Sequence, residues 1–189
     1  LAATFEGEPG SGAGVTREFW SLLADAFLEP RHGLFEPVAS GGGLYAIPLH
    51  SPANQRAMST EMQQSYRLCG ALLGLALRHG VQFDLGLAPH IVKGLLGQEP
   101  ELDDLSACDQ GLHQGLVWLR EHRAADLDAV FTVDLEGEEV ELVPGGKTKV
   151  VTDSNKKAYI DGVTRLKLHE AIAIPMGHLR KGLHETCHA

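Results

Sequence analysis

The sequence predicts an α+β fold that is predominantly helical, with a small subdomain that contains a β-hairpin. Two observations lead to this prediction. Apolar residues recur at helical spacing through much of the chain, as in Thr60–His79, where Cys69, Leu72, Leu73 and Ala76 form one inner stripe. From Phe131 onward the pattern instead alternates between apolar and polar residues, which is typical of strands. With 189 residues, 43% of them hydrophobic, the chain is long enough for one compact domain with a core.

The first predicted helix follows a glycine-rich opening. Thr16 is expected to be its N-cap, Trp20 lies on its buried face, and Pro30 ends it. Residues 31–54 contain several glycines and prolines, so they predict irregular chain with short extended pieces around residues 44–49.

The longest predicted helix, Thr60–His79, carries two glycines on its surface. Gly70 and Gly74 would allow another backbone to approach closely, and Gly80 is expected to end the helix because it tolerates a positive φ.

Two shorter helices are predicted next. One starts at Ala88, has Pro89 in its first turn, where the missing N–H is harmless, and ends at Gly97. The other runs to about Arg123. Its inward-facing residues are Leu112, Leu116 and Leu119.

The hairpin is predicted from two alternating runs, residues 131–135 and 140–143, on either side of Gly137. Thr152 is then expected to cap the last helix, and Pro175 should kink or interrupt that helix.

These elements divide the chain into three parts. Residues 1 to about 88 are part of a large helical subdomain, a smaller subdomain with the hairpin covers about 89–150, and residues 151–189 form returning helices that lead toward a hinge. Because residue 1 is not Met and no helix stop is recognisable at the other end, both ends are expected to be fragment boundaries.

Charge and cysteine content narrow the class of protein. Lys and Arg number 16 against 25 Asp and Glu, and the resulting charge of −9 argues against nucleic acid as a partner. The three cysteines are odd in number and widely spaced, which favours a reducing, cytoplasmic location. The longest apolar stretch, residues 68–77, is far shorter than the ~20 residues of a membrane span.

The glycine-rich opening does not predict a nucleotide site. Gly7 and Gly12 have the spacing of a P-loop, but Ala13 stands where a lysine is required. A dinucleotide fingerprint needs a strand before the loop, and too few residues precede it. A flexible connector into the first helix is the better interpretation.

No cofactor or metal is predicted. The cluster His184, Cys187 and His188 lies near the chain end without matching ligands, so a frayed tail is expected. A local group of lysines is interpreted as a solvated hairpin edge and helix start rather than a binding surface. These lysines are Lys147, Lys149, Lys156 and Lys157.

Four blocks, taken together and in order, carry a family resemblance. They contain FEGE and REFW within residues 5–20, YRLCGALLGLALRHG at 66–80, LDDL and Asp109 at 102–109, and ELVPGG, VTDSNK and YI within 141–160. In this combination they resemble the amino-terminal lobe of HECT-type ubiquitin ligases, so the chain is interpreted as a partial HECT domain.

The resemblance implies a function and a set of partners. A ubiquitin-charged conjugating enzyme docks on this lobe, and ubiquitin passes as a thioester to a cysteine on a separate carboxy-terminal lobe and then to a substrate lysine. The conjugating enzyme, ubiquitin and the carboxy-terminal lobe are therefore the expected partners. The docking residues that the resemblance implies are Leu116, Leu119, Val130 and Phe131. The other interpretation is that these four are only core residues.

The resemblance also bears on Cys187. Thr186 and Cys187 look superficially like a ligase's nucleophile pair, but they match the end of the lobe, so the nucleophile is expected beyond Ala189 and no catalytic residue within the chain. Residues 87–89 and 165–170 look most like the HERC group, large ligases that also carry RCC-type repeats. The rival interpretation is a non-catalytic helical scaffold, or pseudo-ligase, that retains only the fold.

Overall fold

The computed structural model describes residues 12–39, 41–124 and 127–187. Within these ranges the fold is α+β and mostly helical, as the sequence predicts, with two separate antiparallel hairpins. The glycine-rich opening that was interpreted as a connector lies almost entirely outside the described residues.

The helices are α1 (Ala13–Leu28), α2 (Pro52–Arg56), α3 (Thr60–His79), α4 (Pro89–Leu95), α5 (Leu105–Cys108), α6 (Gln110–Glu121), α7 (Lys156–Leu168) and α8 (Ala173–Cys187). The strands are β1 (Glu36–Pro37), β2 (Tyr45–Ala46), β3 (Thr132–Leu135) and β4 (Glu138–Glu141). Strand β1 pairs with β2, and β3 pairs with β4.

The long helix α3 has the predicted bounds because both of its ends are capped. The Ser59 hydroxyl accepts a hydrogen bond from the Met62 N–H at 3.2 Å, and Gly80 adopts a φ of 62° after the last turn. Between these ends Cys69 and Ala76 are buried, as the helical spacing predicts.

Helix α8 crosses α3 closely, which confirms the prediction made from the glycines. A Cβ placed on Gly70 would lie 1.8 Å from the Leu179 carbonyl oxygen, and one on Gly182 would lie 1.8 Å from the Arg67 carbonyl oxygen. At the same crossing the Thr186 hydroxyl donates to the Ala71 carbonyl oxygen at 3.0 Å. Only glycine at these two positions permits this approach.

Two main hydrophobic clusters form the interior. The first contains Ile47, Tyr66, Ile91, Ile172 and Leu179 among others. The second contains Leu105, Leu116, Leu119, Phe131, Ile160 and Val163 among others. We call them the first core and the second core. The first predicted boundary lies near residue 88, but Ile91 of α4, which follows it, still packs in the first core. The boundary therefore does not coincide with the change from the first core to the second, and the three-part division stays a prediction.

The β3–β4 hairpin confirms the change of pattern seen after Phe131. Leu135 pairs with Glu138, so its turn consists of Glu136 and Gly137, and both have a positive φ. A two-residue turn of this kind matches the natural twist of the strands.

The predicted caps at Thr16 and Thr152 are wrong. Helix α1 begins at Ala13, and Thr16 lies inside it, where its hydroxyl donates to the Gly12 carbonyl oxygen at 3.1 Å. Before α7, Thr152 contributes its backbone N–H to the hydrogen bond, and Asn155 contributes its side chain. The Asn155 side-chain oxygen accepts from the Thr152 N–H at 2.7 Å, rather than Thr152 accepting from the helix.

The last helical stretch is interrupted, but not at Pro175. Helix α7 ends at Leu168, a short 3₁₀ turn follows at Glu170–Ile172, and α8 begins at Ala173. Pro175 therefore lies in the first turn of α8, where a missing N–H leaves no helical hydrogen bond unmade.

Candidate docking surface

Helix α6 forms one side of the candidate site. The Asp109 carboxylate accepts from the Leu112 N–H at 2.9 Å and caps the helix. Leu116 and Leu119 lie on one side of α6 and are buried in the second core, with 4% and 3% of their surface exposed. Their spacing of three residues places them on the same face, as predicted.

Phe131 lies at the centre of the second core and is fully buried. Its N–H donates to the Lys149 carbonyl oxygen at 3.0 Å, and its ring meets the Tyr159 ring edge-on at 5.5 Å. The Lys149 ammonium lies 4.3 Å from the centre of the Phe131 ring, which adds a cation–π contact.

Three of the four expected docking residues are therefore core residues in this structure. Leu116, Leu119 and Phe131 support the surface from beneath, and only Val130 is partly exposed. Contact between these side chains and a partner enzyme stays a prediction.

Two exposed apolar side chains directly precede buried residues of the second core, Leu119 and Val151. Trp118 is 43% exposed and stacks on His122 at a ring distance of 4.5 Å, and Val150 is 53% exposed. Val130 and Val150 form an antiparallel bridge, which places them side by side. Trp118 is not among the residues predicted from the sequence, although its position two residues after Leu116 turns it about 200° away from the buried face.

A groove of about 480 Å³ opens beside Val150. Its lining residues are Ala124, Leu127, Asp128, Val150, Val151, Thr152 and Asp153. We call Trp118, Leu127, Asp128, Val130 and Val150 the docking surface.

Asp153 connects the groove to the loop after α6. Its carboxylate accepts from the Ala124 N–H at 2.8 Å and lies 3.7 Å from the Lys156 ammonium. This hydrogen bond, with Lys156 and Arg123 nearby, holds the pKa of the Asp153 carboxyl below its usual value. Lys156 also donates to the carbonyl oxygen of His122, the residue on which the Trp118 ring stacks.

The structure brings one thiol and one imidazole together, but not as a nucleophilic pair. Cys108 Sγ lies 3.2 Å from His90 Nδ1. Burial raises the pKa of Cys108 to about 11 and lowers the pKa of His90 to about 4. Both groups are therefore neutral near pH 7, whereas a cysteine nucleophile needs a thiolate. Cys69 is fully buried, and burial raises its pKa as well.

Cys187 is exposed in the last turn of α8. The neighbouring Thr186 hydroxyl is within hydrogen-bonding distance of three carbonyl oxygens, of which Ala71 is the nearest at 3.0 Å. The two residues therefore do not form a shared site in this structure, and the non-catalytic role of Cys187 stays a prediction.

The four lysines near the hairpin have intramolecular partners. Lys147 pairs with Glu139 at 3.3 Å, Lys157 pairs with Asp161 at 2.8 Å, and the other two are engaged as described above. This favours the interpretation as a solvated edge.

Within the described ranges, no group of three or more His, Cys, Asp or Glu side chains is arranged to hold a metal ion. None of the helices in the same ranges combines the length and the apolar character that crossing a membrane requires.

Comparison with known proteins identifies the family of this mostly helical lobe. The family model described as HECT-domain (ubiquitin-transferase) matches residues 21–189, so the chain belongs to the HECT family. Among individual proteins it is 30% identical over 190 residues to the E3 ubiquitin-protein ligase HACE1 of Danio rerio. It is also 35% identical over 192 residues to the E3 ubiquitin-protein ligase HECW1 of Mus musculus.

These alignments cover 97% and 98% of this chain but only 20% and 12% of the relatives. The chain thus spans about a fifth or less of the length of the ligases it resembles. The narrower resemblance to the HERC group has no support from these relatives and stays a sequence-based prediction.

Proposed function

We propose that this chain is the conjugating-enzyme-docking lobe of a HECT-type ubiquitin ligase. A ubiquitin-charged conjugating enzyme binds at the docking surface. Ubiquitin then passes to a cysteine on a carboxy-terminal lobe, forming a thioester, and from there to a substrate lysine. The protein's partners are accordingly the conjugating enzyme, ubiquitin and that second lobe.

The observation that carries this proposal is the exposure of two apolar side chains, Trp118 on α6 and Val150 beside the groove, directly before buried residues of the second core. Binding sites between proteins concentrate their energy in a few aromatic and apolar residues that become buried on association, and tryptophan is enriched among them. Asp128 is exposed beside the apolar residues and adds negative charge to the rim, which suits a partner with basic residues there.

The chain's own cysteines support the division of labour between two lobes. Cys69 and Cys108 have raised pKa values, so neither supplies a thiolate near neutral pH. Because the resemblance matches the third cysteine, Cys187, to the end of the lobe, we place the nucleophile on the carboxy-terminal lobe. We also propose a cytoplasmic location, which the odd number and wide spacing of the three cysteines favour, and the charge of −9 disfavours nucleic acid as a partner.

The test is ubiquitin thioester formation by the full-length protein, measured as a function of the concentration of charged conjugating enzyme. Trp118→Ala and Val150→Asp should each raise the half-saturating concentration at least about tenfold, which corresponds to roughly 1.4 kcal/mol of binding energy. Leu77→Ala is the matched control, because Leu77 is 70% exposed on α3, outside the docking surface.

Two results would contradict the proposal. If both docking-surface variants match the wild type, the conjugating enzyme binds elsewhere. If the wild-type protein forms no thioester with any member of a panel of conjugating enzymes, the non-catalytic scaffold is the better account.

A further inference from the structure

The turn of the β3–β4 hairpin carries a residue in an unfavourable conformation. Glu136 has a φ of 56°, and it is the one non-glycine residue with a positive φ in the described part of the chain. A side chain in this left-handed region crowds the backbone, and Asn, Asp or Gly usually occupies the first position of such a turn. A glutamate in this conformation needs a stabilising contact that offsets the backbone strain.

The Glu136 carboxylate makes that contact with a segment more than 80 positions away in the sequence. Its Oε2 accepts from the Ser51 N–H at 3.0 Å and from the Asn54 side-chain amide at 2.8 Å. Its Oε1 lies 3.5 Å from Nδ1 of His50. Because these groups favour the ionised form, they hold the pKa of the Glu136 carboxyl below its usual value. We call this set of contacts the clasp.

The clasp residues are themselves tied to the helices of the first core. The His50 N–H donates to the Ala171 carbonyl oxygen at 3.0 Å, and the Ser51 hydroxyl accepts from the Asn54 N–H to cap α2. Gln55 in α2 donates to the Glu170 carbonyl oxygen at 2.7 Å and accepts from the Ile174 N–H at 3.0 Å. The far end of the clasp is therefore anchored at the start of α8.

The hairpin is thus fixed at both ends, by different parts of the molecule. At its base, Phe131 belongs to the second core beneath the docking surface. At its tip, Glu136 is bonded to Ser51 and Asn54. The hairpin consequently connects the docking surface to the first core.

We propose that Glu136 is a positioning residue, whose carboxylate fastens the hairpin tip to His50, Ser51 and Asn54 and thereby sets the orientation of the docking surface relative to the first core. This inference rests on the proposed docking function. Transfer of ubiquitin between two cysteines requires the thioester to be brought to the attacking thiol in a narrow range of positions, so a small reorientation of the docked enzyme slows transfer. Glu136 contacts no reacting atom and acts through the hairpin.

The experiment combines two measurements on the full-length protein. The first is hydrogen exchange of the Ser51 amide, which reports on the clasp. The second is single-turnover transfer of ubiquitin from the charged conjugating enzyme, analysed as a maximal rate and a half-saturating concentration. The variants are Glu136→Ala, Glu136→Gly and Glu136→Gln. Glu136→Gly removes both the carboxylate and the backbone strain, so it tests the clasp even if Glu136→Ala does not fold.

We expect Glu136→Ala and Glu136→Gly to raise Ser51 exchange at least tenfold and to lower the maximal rate several-fold, with little change in the half-saturating concentration. Glu136→Gln should retain most of the wild-type rate, because its amide oxygen still accepts from Ser51 and Asn54. Glu138→Ala is the control, since it removes an exposed carboxylate from the same hairpin without touching the clasp.

The possible failures are distinguishable. Unchanged Ser51 exchange in Glu136→Gly would show that the clasp does not form. Faster exchange with an unchanged maximal rate would show that the clasp forms but does not position the docking surface. A wild-type protein that accepts no ubiquitin would overturn the docking function and, with it, the positioning role, while protection of Ser51 would still report the clasp.

Discussion

Replacing Gly182 by alanine should destabilise the protein, because the new methyl group would overlap a backbone atom of another helix. The Cβ would lie 1.8 Å from the Arg67 carbonyl oxygen and 2.8 Å from the Ala71 backbone nitrogen. Neither atom belongs to a flexible side chain. A carbon and an oxygen in contact are normally about 3.3 Å apart or more, so α3 and α8 would have to separate by roughly 1.5 Å.

The size of the effect follows from two opposing terms. Forcing extra volume into a well-packed interior costs about 1–3 kcal/mol, and displacement of whole helices puts this site near about 3 kcal/mol. Alanine is preferred to glycine within a helix by about 1 kcal/mol, which offsets part of that cost. The expected net loss is about 2 kcal/mol.

Gly177→Ala supplies the matched control within the same helix. A Cβ on Gly177 meets nothing within 4 Å, so this variant should gain about 1 kcal/mol from helix propensity alone. The assay is urea unfolding followed by far-UV circular dichroism, with the slope of the transition checked for constancy. If Gly182→Ala unfolds at the same urea concentration as the wild type or a higher one, the close crossing of α3 and α8 is wrong.

Three further predictions concern the second core, the buried imidazole of His90 and the thiol of Cys187. Phe131→Ala should lower the free energy of unfolding by about 3–5 kcal/mol because it leaves a cavity in the second core. Trp118→Ala should change the free energy of unfolding by less than about 1 kcal/mol because Trp118 is exposed. Equal losses for the two variants in urea unfolding would contradict the description of Phe131 as buried and Trp118 as exposed. The pKa of His90 lies near 4 in the folded chain and near 6.5 in the unfolded chain. As the pH falls, the unfolded chain therefore becomes protonated at His90 at a higher pH than the folded chain does. Stability should therefore fall by roughly 3 kcal/mol as the pH drops from 6.5 to 4, and unfolding curves of His90→Gln should lack that part of the pH dependence. Cys187→Ala should leave thioester formation by the full-length protein unchanged on non-reducing gels, and loss of the thioester band would make Cys187 the acceptor.

Much of the fold follows from the sequence because its signals are local. The bounds of α3 are marked by Ser59 and Gly80, and Gly137 lies between two alternating runs that become β3 and β4. The close approach at Gly70 is also predictable, since a small residue on a helix surface leaves room for a neighbour.

The incorrect caps have a common physical cause. Threonine hydroxyls and asparagine amides can satisfy backbone groups inside a helix as well as at its start, so the residue type alone does not place the first turn. In this chain the Thr16 hydroxyl donates to the Gly12 carbonyl oxygen at the start of α1. Before α7 the Asn155 side chain accepts from the Thr152 N–H, so Asn155 and not Thr152 supplies the side-chain acceptor.

The sequence indicates the segments in which we propose the docking surface, but not which of their residues are exposed. Leu116 and Leu119 have the spacing of an inward face and are buried, whereas a binding surface needs apolar residues that the core leaves out. Trp118 meets that requirement on α6. Val150 is recognisable only after the bridge to Val130 is known, because the two are 20 positions apart in the sequence. The Glu136 clasp spans an even longer separation, so no local pattern predicts it.

Docking of a ubiquitin-conjugating enzyme on this chain can be observed by nuclear magnetic resonance titration of the isotope-labelled chain with a panel of such enzymes. We predict that at least one enzyme shifts the Trp118 indole signal and the amides of Asp128, Val130 and Val150, while the buried Trp20 indole stays unchanged. If no enzyme perturbs these signals, or if the shifts gather around Leu22 and Leu68 instead, the docking surface is assigned wrongly.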